Sequence, residues 1–148
     1  MINRVVLIGR LTRDVEVKYT QSGIAVGSFN LAVQRGFKND NGDRESDFIN
    51  AVIWRKAAEN FANFTGKGAL VAIEGRLATR NYENQQGQRV YVTEVNVDNF
   101  SLLENKAEAE KRRQNNGTSG GQQQKQQASD NPFAGQQGVN ISDDDLPF

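Results

Sequence analysis

The most telling side chains in this sequence lie in one short run, Phe48-Ile49-Asn50-Ala51-Val52-Ile53-Trp54. Side chains alternate across a strand, so Ile49, Ala51 and Ile53 share one face while Phe48, Asn50, Val52 and Trp54 share the other. The first set is uniformly apolar and suits a core. The second sets two rings roughly 20 Å apart, at a rise of about 3.3 Å per residue. Rings spaced this way form a platform for a flexible nucleic-acid strand, because every base has a π-face and stacking contributes about 1–3 kcal/mol per base. The plainer alternative is a second core layer or an oligomer contact.

Further rings are interleaved with cations. Phe37 lies in a polar loop between Arg35 and Lys38, Trp54 is followed at once by Arg55 and Lys56, and Tyr82 follows Arg76 and Arg80. Rings take bases while cations neutralise phosphates. Phe37, Phe48, Trp54 and Tyr82 are therefore candidate stacking residues. Arg35, Lys38, Arg55, Lys56, Arg76 and Arg80 are candidate phosphate contacts. Each cation taken alone reads equally as a solvated charge.

Catalytic chemistry has little to work with. The sequence has no cysteine and no histidine, so disulfides, thiolate or imidazole zinc ligation, and every triad built on an imidazole base are excluded. Asp40, Asp43, Glu45 and Asp47 cluster, but Asp40-Asn41-Gly42-Asp43 does not keep the calcium-loop spacing. Gly66-Lys67-Gly68 lacks the earlier glycine and the following Ser/Thr of a phosphate-binding loop. No catalytic residue, metal or cofactor is expected. A two-carboxylate hydrolase is the one enzyme reading that residue types leave open.

The elements that position these residues are mostly strands. Arg4–Leu11 is apolar on both faces and reads as a strand buried on two sides. Val15–Tyr19 alternates, Gln21-Ser22-Gly23 is a turn, and Ala25–Val33 is a third strand. Asn41-Gly42 marks a hairpin before Phe48–Trp54. Ala57, Ala58, Phe61, Ala62 and Phe64 recur at helical spacing until Gly66 and Gly68 end the helix. Ala69–Leu77 and Arg89–Val97 complete the set, joined by the polar stretch 83–88. Five principal strands with one short helix between the third and fourth predict an all-β fold, the five-stranded Greek-key barrel known as the OB-fold. An unrelated small barrel or an α+β sheet stays open on the pattern alone.

The remainder is a tail. Hydrophobic residues make up only 36% of the 148 residues, because most of the C-terminal stretch is Gln, Gly, Asn and Ser and cannot offset the entropy of ordering. The expected organisation is a folded domain at 1–105, a low-complexity disordered linker at 106–140 whose start, Lys106–Arg113, has helical character, and a tip at 141–148. The formal net charge is zero, yet residues 1–113 carry 17 Lys/Arg against 14 Asp/Glu, and 114–148 carry 1 against 4. A basic body joined to an acidic end suits polyanion binding plus an interaction tail. The tip, Asp143-Asp144-Asp145-Leu146-Pro147-Phe148, combines carboxylates with an apolar ring, which fits a basic pocket beside an apolar cleft on a partner. A purely solubilising end gives no reason for Leu146, Pro147 and Phe148. The apolar run near Met1 is too short for a signal peptide, and nothing approaches a membrane span. The expected location is the cytoplasm, in association with the nucleoid.

Several of these segments resemble one family. Asn3–Leu11, Asp47–Trp54, Lys67-Gly68, Glu74-Gly75-Arg76-Leu77, Thr79-Arg80-Asn81-Tyr82 and the closing Asp-Asp-Asp-Leu-Pro-Phe look like the bacterial single-stranded DNA-binding proteins. The resemblance spans residues 1–100 and the last six. It implies an OB-fold protomer that assembles as a homotetramer, wraps single-stranded DNA without catalysis, and recruits replication, recombination and repair proteins through its tip. It sets the stacking positions at Phe37, Phe48, Trp54 and Tyr82, and phosphate contacts at Arg4, Lys18, Lys56, Lys67 and Arg80. Some members carry several tryptophans at these positions, whereas this chain has one. The other readings are a single-stranded RNA-binding OB-fold or chaperone, since stacking alone does not distinguish sugars, and a carboxylate-dependent nuclease.

Overall fold

In the computed structural model, which describes residues 1–118, the strands run β1 (Val5–Leu11), β2 (Glu16–Tyr19), β3 (Ala25–Gln34) and β4 (Ser46–Trp54). Helix α1 (Arg55–Phe64) then leads to β5 (Leu70–Glu83), β6 (Arg89–Leu102) and helix α2 (Lys106–Thr118). The sheet order is β1-β5-β6-β4-β3-β2, and an extra β1–β3 pairing closes it into a ring. All ladders are antiparallel except β4–β6, where Ala51, Val52 and Ile53 pair with Val95, Asn96 and Val97. With the four-residue β2 set aside as a flanking hairpin arm, this is the expected OB-fold barrel, with α1 between its third and fourth principal strands.

Closure depends on two glycines. β1 pairs with β5 from Val5 to Arg10, then crosses to β3 at Arg10–Ala32 and Leu11–Leu31. At Gly9 a Cβ would collide with the Ala32 carbonyl, and at Gly75 with the Asn96 carbonyl. Gly75 also sits at the register shift in the β5–β6 ladder. Such bulges bend a strand sharply, and a missing side chain lets the neighbouring backbone approach.

Alternation then fills the interior. Leu11, Phe29, Leu31, Ala51, Ile53, Val71, Ile73, Val95 and Val97 point inward and are buried. Helix α1 plugs one end with Ala58 and Phe61. The Phe61 ring lies 4.8 Å from that of Phe29 in a tilted contact and 4.9 Å from that of Phe100 edge to face. Burying a ring of this size stabilises by about 2–3 kcal/mol. The helix ends where the buried Thr65 turns its hydroxyl and its N–H back to the Phe61 carbonyl.

Three expectations need correction. β1 is not buried on both sides: Val6 and Ile8 are 65% and 57% exposed, because a closed barrel has one interior and only alternate residues reach it. β5 and β6 are each 14 residues long rather than ending at Leu77 and Val97. The outer half of β5 buries neither face, so apolar alternation fades there while the backbone ladder continues to Glu83–Arg89; β6 runs on past Val97 because its pairing with β5 continues to Leu102, with Phe100 packed on the core. Finally, residues 106–118 of the expected linker form α2, and one compact unit runs from Met1 to Asn116. Asn105 caps α2: its side chain accepts from the Glu108 N–H at 2.8 Å, and the Glu108 carboxylate accepts from the Asn105 N–H at 3.1 Å. Arg112 then pairs with Glu104 at 3.0 Å, both side chains nearly buried, while Glu104 also accepts from the Leu70 N–H. The remainder of the linker and the tip Asp143–Phe148 lie outside the described residues.

Candidate nucleic-acid interface

Strand β4 presents its two faces as its alternation requires. Ala51 and Ile53 are buried and Ile49 packs against the core. On the outer face Phe48 is 66% exposed and Trp54 42% exposed. The ladders show what surrounds them, since directly paired residues share a face. Trp54 pairs with Val26 on β3, which pairs with Lys18 on β2. In the other direction Val52 pairs with Asn96 on β6, which pairs with Arg76 on β5. Farther along the same face of β5 lie Arg80, opposite Val92, and Tyr82, opposite Val90. One continuous outer surface therefore carries Lys18, Trp54, Phe48, Arg76, Arg80 and Tyr82, residues spread over more than sixty positions of sequence.

Two hairpins extend this surface. Phe37 is 70% exposed in the loop between β3 and β4. Tyr82 is 48% exposed, one residue before the β5–β6 loop. Both loops are built the same way. The side-chain oxygen of Asn39 accepts from the backbone N–H of Asn41 and Asp43, and that of Asn84 accepts from Gln86 and Gln88. Gly42 and Gly87 supply the left-handed residue at φ 85° and 75°, a conformation that costs glycine little. Rings at the bases of these loops are held by short polar turns rather than by a core.

The cations sort into three groups. Arg76 and Arg80 pair with Asp98 and Glu94, both at 3.1 Å, and the Arg80 guanidinium lies 5.9 Å from the Tyr82 ring centre. Lys18 pairs with Glu16 at 3.0 Å, and Arg4 with Glu74. Arg35 forks onto Asp47 at 2.7 and 3.0 Å and reaches Glu45 at 2.7 Å. That fork lowers the Asp47 pKa and raises that of Arg35. It also explains the acidic cluster of the sequence: Glu45 and Asp47 hold an arginine. Among the described residues no group of three or more Asp/Glu gathers as a metal site.

Arg55 and Lys38 make no ion pair among the described residues, and both are exposed. Arg55 stands out by its backbone, with φ at 62°, the one non-glycine positive value among the described residues. It turns the chain from β4 into α1 directly behind Trp54. A shallow groove of about 600 Å³ gathers Trp54, Arg55, Arg76, Asn96 and Asp98, and a neighbouring depression of about 260 Å³ joins Arg76 to Arg4.

Two further predicted cations hold partners of their own. Lys56 pairs with Glu59 at 3.0 Å on α1, where Glu59 also accepts from the Tyr19 hydroxyl at 3.1 Å. The shared carboxylate raises the Tyr19 pKa. Lys67 lies in the turn between α1 and β5, its N–H on Asp14 and its carbonyl taken by Arg112 and Asn116 of α2. Sequence reasoning passed over Asn30, whose side chain donates to Asn50 at 3.0 Å in the middle of the ring-bearing surface. Its signal was the outward set of β3, Val26, Ser28, Asn30 and Ala32, which faces the outward set of β4 residue for residue.

Comparison with known proteins shows the family. The model of the single-strand binding protein family matches residues 2–103. The chain is 69% identical over 111 residues to a single-stranded DNA-binding protein of Lactiplantibacillus plantarum, a match covering 75% of this chain and 56% of that relative. It is 57% identical over 148 residues to single-stranded DNA-binding protein 4 of Streptococcus agalactiae, and 53% identical over 163 residues to single-stranded DNA-binding protein 2 of Streptococcus pyogenes, each match covering 100% of both chains.

Proposed function

The chain belongs to the single-strand binding protein family, and on that footing we propose that it binds single-stranded DNA, without catalysis and independently of sequence, across the outer face of β4. The observation that carries this reading is the pair of exposed rings, Phe48 and Trp54, on a surface edged by Lys18 on one side and by Arg76 and Arg80 on the other. Unpaired bases stack on the rings, with Phe37 and Tyr82 continuing the path at the hairpin bases. Phosphates displace the carboxylates that now occupy the arginines. The Arg76–Asp98 pair is exposed on both sides and such pairs contribute little to stability, so that exchange is cheap, and the cations are pre-positioned by the partners they give up. Counterion release makes the affinity fall with salt. A duplex keeps its bases stacked inside and offers the rings nothing.

Trp54 reports directly on this mechanism, as the one tryptophan of the chain. Its fluorescence is expected to be quenched by oligo-dT, hardly changed by duplex, and partly restored by salt. Emission untouched by oligo-dT at low salt would overturn the assignment. Magnesium-dependent loss of the oligonucleotide on a gel would instead indicate a nuclease.

The wider role follows the same footing. The protein coats single strands during replication, recombination and repair, works as a homotetramer in the cytoplasm, and recruits partner enzymes through Asp143–Phe148. The tetramer is supported by the uncovered aliphatic face of β1, Val6 and Ile8. Recruitment is supported by the acidic-apolar composition of the tip. Deleting Asp143–Phe148 is expected to leave DNA affinity equal or slightly higher while pull-down of partners fails. A truncated protein that captures the same partners removes the recruitment role.

A further inference from the structure

We propose that Asn50 reads the edges of the bound bases, as a hydrogen-bond donor whose orientation is set by Asn30 and Thr12. The proposal rests on the stacking role of Phe48 and Trp54 and extends it from the faces of the bases to their edges.

The orientation comes from a chain of bonds that starts where β1 closes the barrel. Just past Leu11, the Thr12 N–H donates to the Asn30 carbonyl at 3.0 Å, and the Thr12 hydroxyl donates to Asn30 Oδ1 at 3.2 Å. With its oxygen engaged, the Asn30 amide turns Nδ2 toward its direct ladder partner and donates to Asn50 Oδ1 at 3.0 Å. Thr12 and Asn30 are half-buried, whereas Asn50 is exposed. An asparagine amide has one acceptor oxygen and two N–H donors. Asn50 spends the oxygen on the barrel and keeps both donors for whatever lies on the surface.

What lies there is a base. Asn50 is two residues from Phe48 on the same face, about 7 Å at the usual strand rise, close to the width of a base. A base stacked on Phe48 therefore brings its edge over the Asn50 amide. A donor there complements an acceptor on the base edge, such as the carbonyl oxygens of thymine, cytosine or guanine. Ring stacking is indifferent to base identity, so the amide adds a modest preference to an otherwise indifferent surface. Were the asparagine pair only a tie between β3 and β4, the chemistry of the base edge would have no effect on binding.

The test compares oligo-dT with an oligonucleotide of the same length in which 2,4-difluorotoluene, a thymine isostere without comparable acceptors, replaces the base. Trp54 emission is followed in the full-length protein, in Asn50→Ala and in Asn30→Ala. The difference in stacking between the two bases is common to all three proteins and cancels in the ratio of preferences. The wild-type protein is expected to favour thymine over the isostere by about two- to tenfold per contacted base. Asn50→Ala should lose that preference while both oligonucleotides still quench, and Asn30→Ala, which lets the amide rotate, should lose part of it. An undiminished preference in Asn50→Ala overturns the proposal and leaves the stacking role standing. Should Asn50→Ala fail to fold, Asn30→Ala decides, and an undiminished preference there overturns it equally. If neither oligonucleotide quenches wild-type Trp54, the stacking role falls and this proposal falls with it.

Discussion

The outward faces of β4 and β1 both hold large apolar side chains in water, but they offer different chemistry. On β4 two rings, Phe48 and Trp54, are separated by an amide and a valine and flanked by cations on neighbouring strands. On β1 the exposed apolar residues are the branched aliphatics Val6 and Ile8, paired across the ladder with Glu74 and Ala72, and Arg10 follows them on the same face. A ring can be used one face at a time by a flat ligand with water at its edges. A branched aliphatic gains only by burial, at about 25 cal/mol per Å² of apolar surface removed from water. The β4 face therefore suits a polyanion that carries its own π-faces. The β1 face suits a second aliphatic surface, such as another copy of the same strand. Exposed apolar area has meaning once its shape and its neighbours are specified.

The largest effect is expected from removing both rings. The double substitution Phe48→Ala, Trp54→Ala should weaken binding of labelled oligo-dT by about 2–6 kcal/mol, at about 1–3 kcal/mol per stacked base, read by anisotropy since the tryptophan is gone. The native mass should not change. A change in mass alongside the affinity would show that the two faces are not independent.

The reciprocal substitution is Ile8→Lys. Like charges brought together across an interface cost several kcal/mol, so native mass should shift to smaller assemblies. Trp54 quenching by oligo-dT should persist at low salt, since the rings lie on another strand. A tetramer that survives Ile8→Lys would remove β1 from the interface.

Smaller effects sharpen the electrostatic half of the contrast. Arg80→Ala should lower the slope of log affinity against log salt by about one, uniformly across sequences, as expected for a phosphate contact. An unchanged slope would mark Arg80 as a structural partner of Glu94 alone. The smallest effect concerns Asp47, whose pKa the Arg35 fork holds below the usual carboxylate value. The stabilisation that goes with a lowered pKa is present above the unfolded value, about 3.9 for aspartate, and is lost as pH falls through the folded one. Asp47→Asn should therefore lower stability slightly at neutral pH and leave it unchanged in strong acid, which flattens the acid limb below about pH 4. An acid limb identical to that of the wild type would remove the pair from the account.

Much of the binding surface could be read from local pattern. The two faces of β4, the helix after it and the hairpin at Asn41-Gly42 all follow from alternation, period and turn chemistry within a few residues. The same reasoning failed where its physical premise lapsed. It treated Val6 and Ile8 as buried because an apolar run says nothing about how many sides a strand can cover. β5 outruns its apolar pattern because Thr79–Tyr82 pair through their backbones with no core beneath them, and β6 outruns its own because the polar Asp98-Asn99 interrupts the alternation before Phe100 returns to the core. Local pattern ended the folded domain at residue 105, where the Glu104–Arg112 pair in fact ties α2 to the barrel.

Residue order by itself determined which side chains point in and which point out, and which rings travel with which cations along the chain. Those properties are local, set by the two-residue repeat of a strand and by the burial of one face. Tertiary structure alone decided which distant cations share the ring-bearing face: Lys18, Arg76 and Arg80 arrive through ladder register. It also decided that Thr12, Asn30 and Asn50 form one hydrogen-bonded line. Register between distant strands depends on how the barrel closes at Gly9 and Gly75, and that closure is a long-range packing outcome that no short stretch of residues encodes.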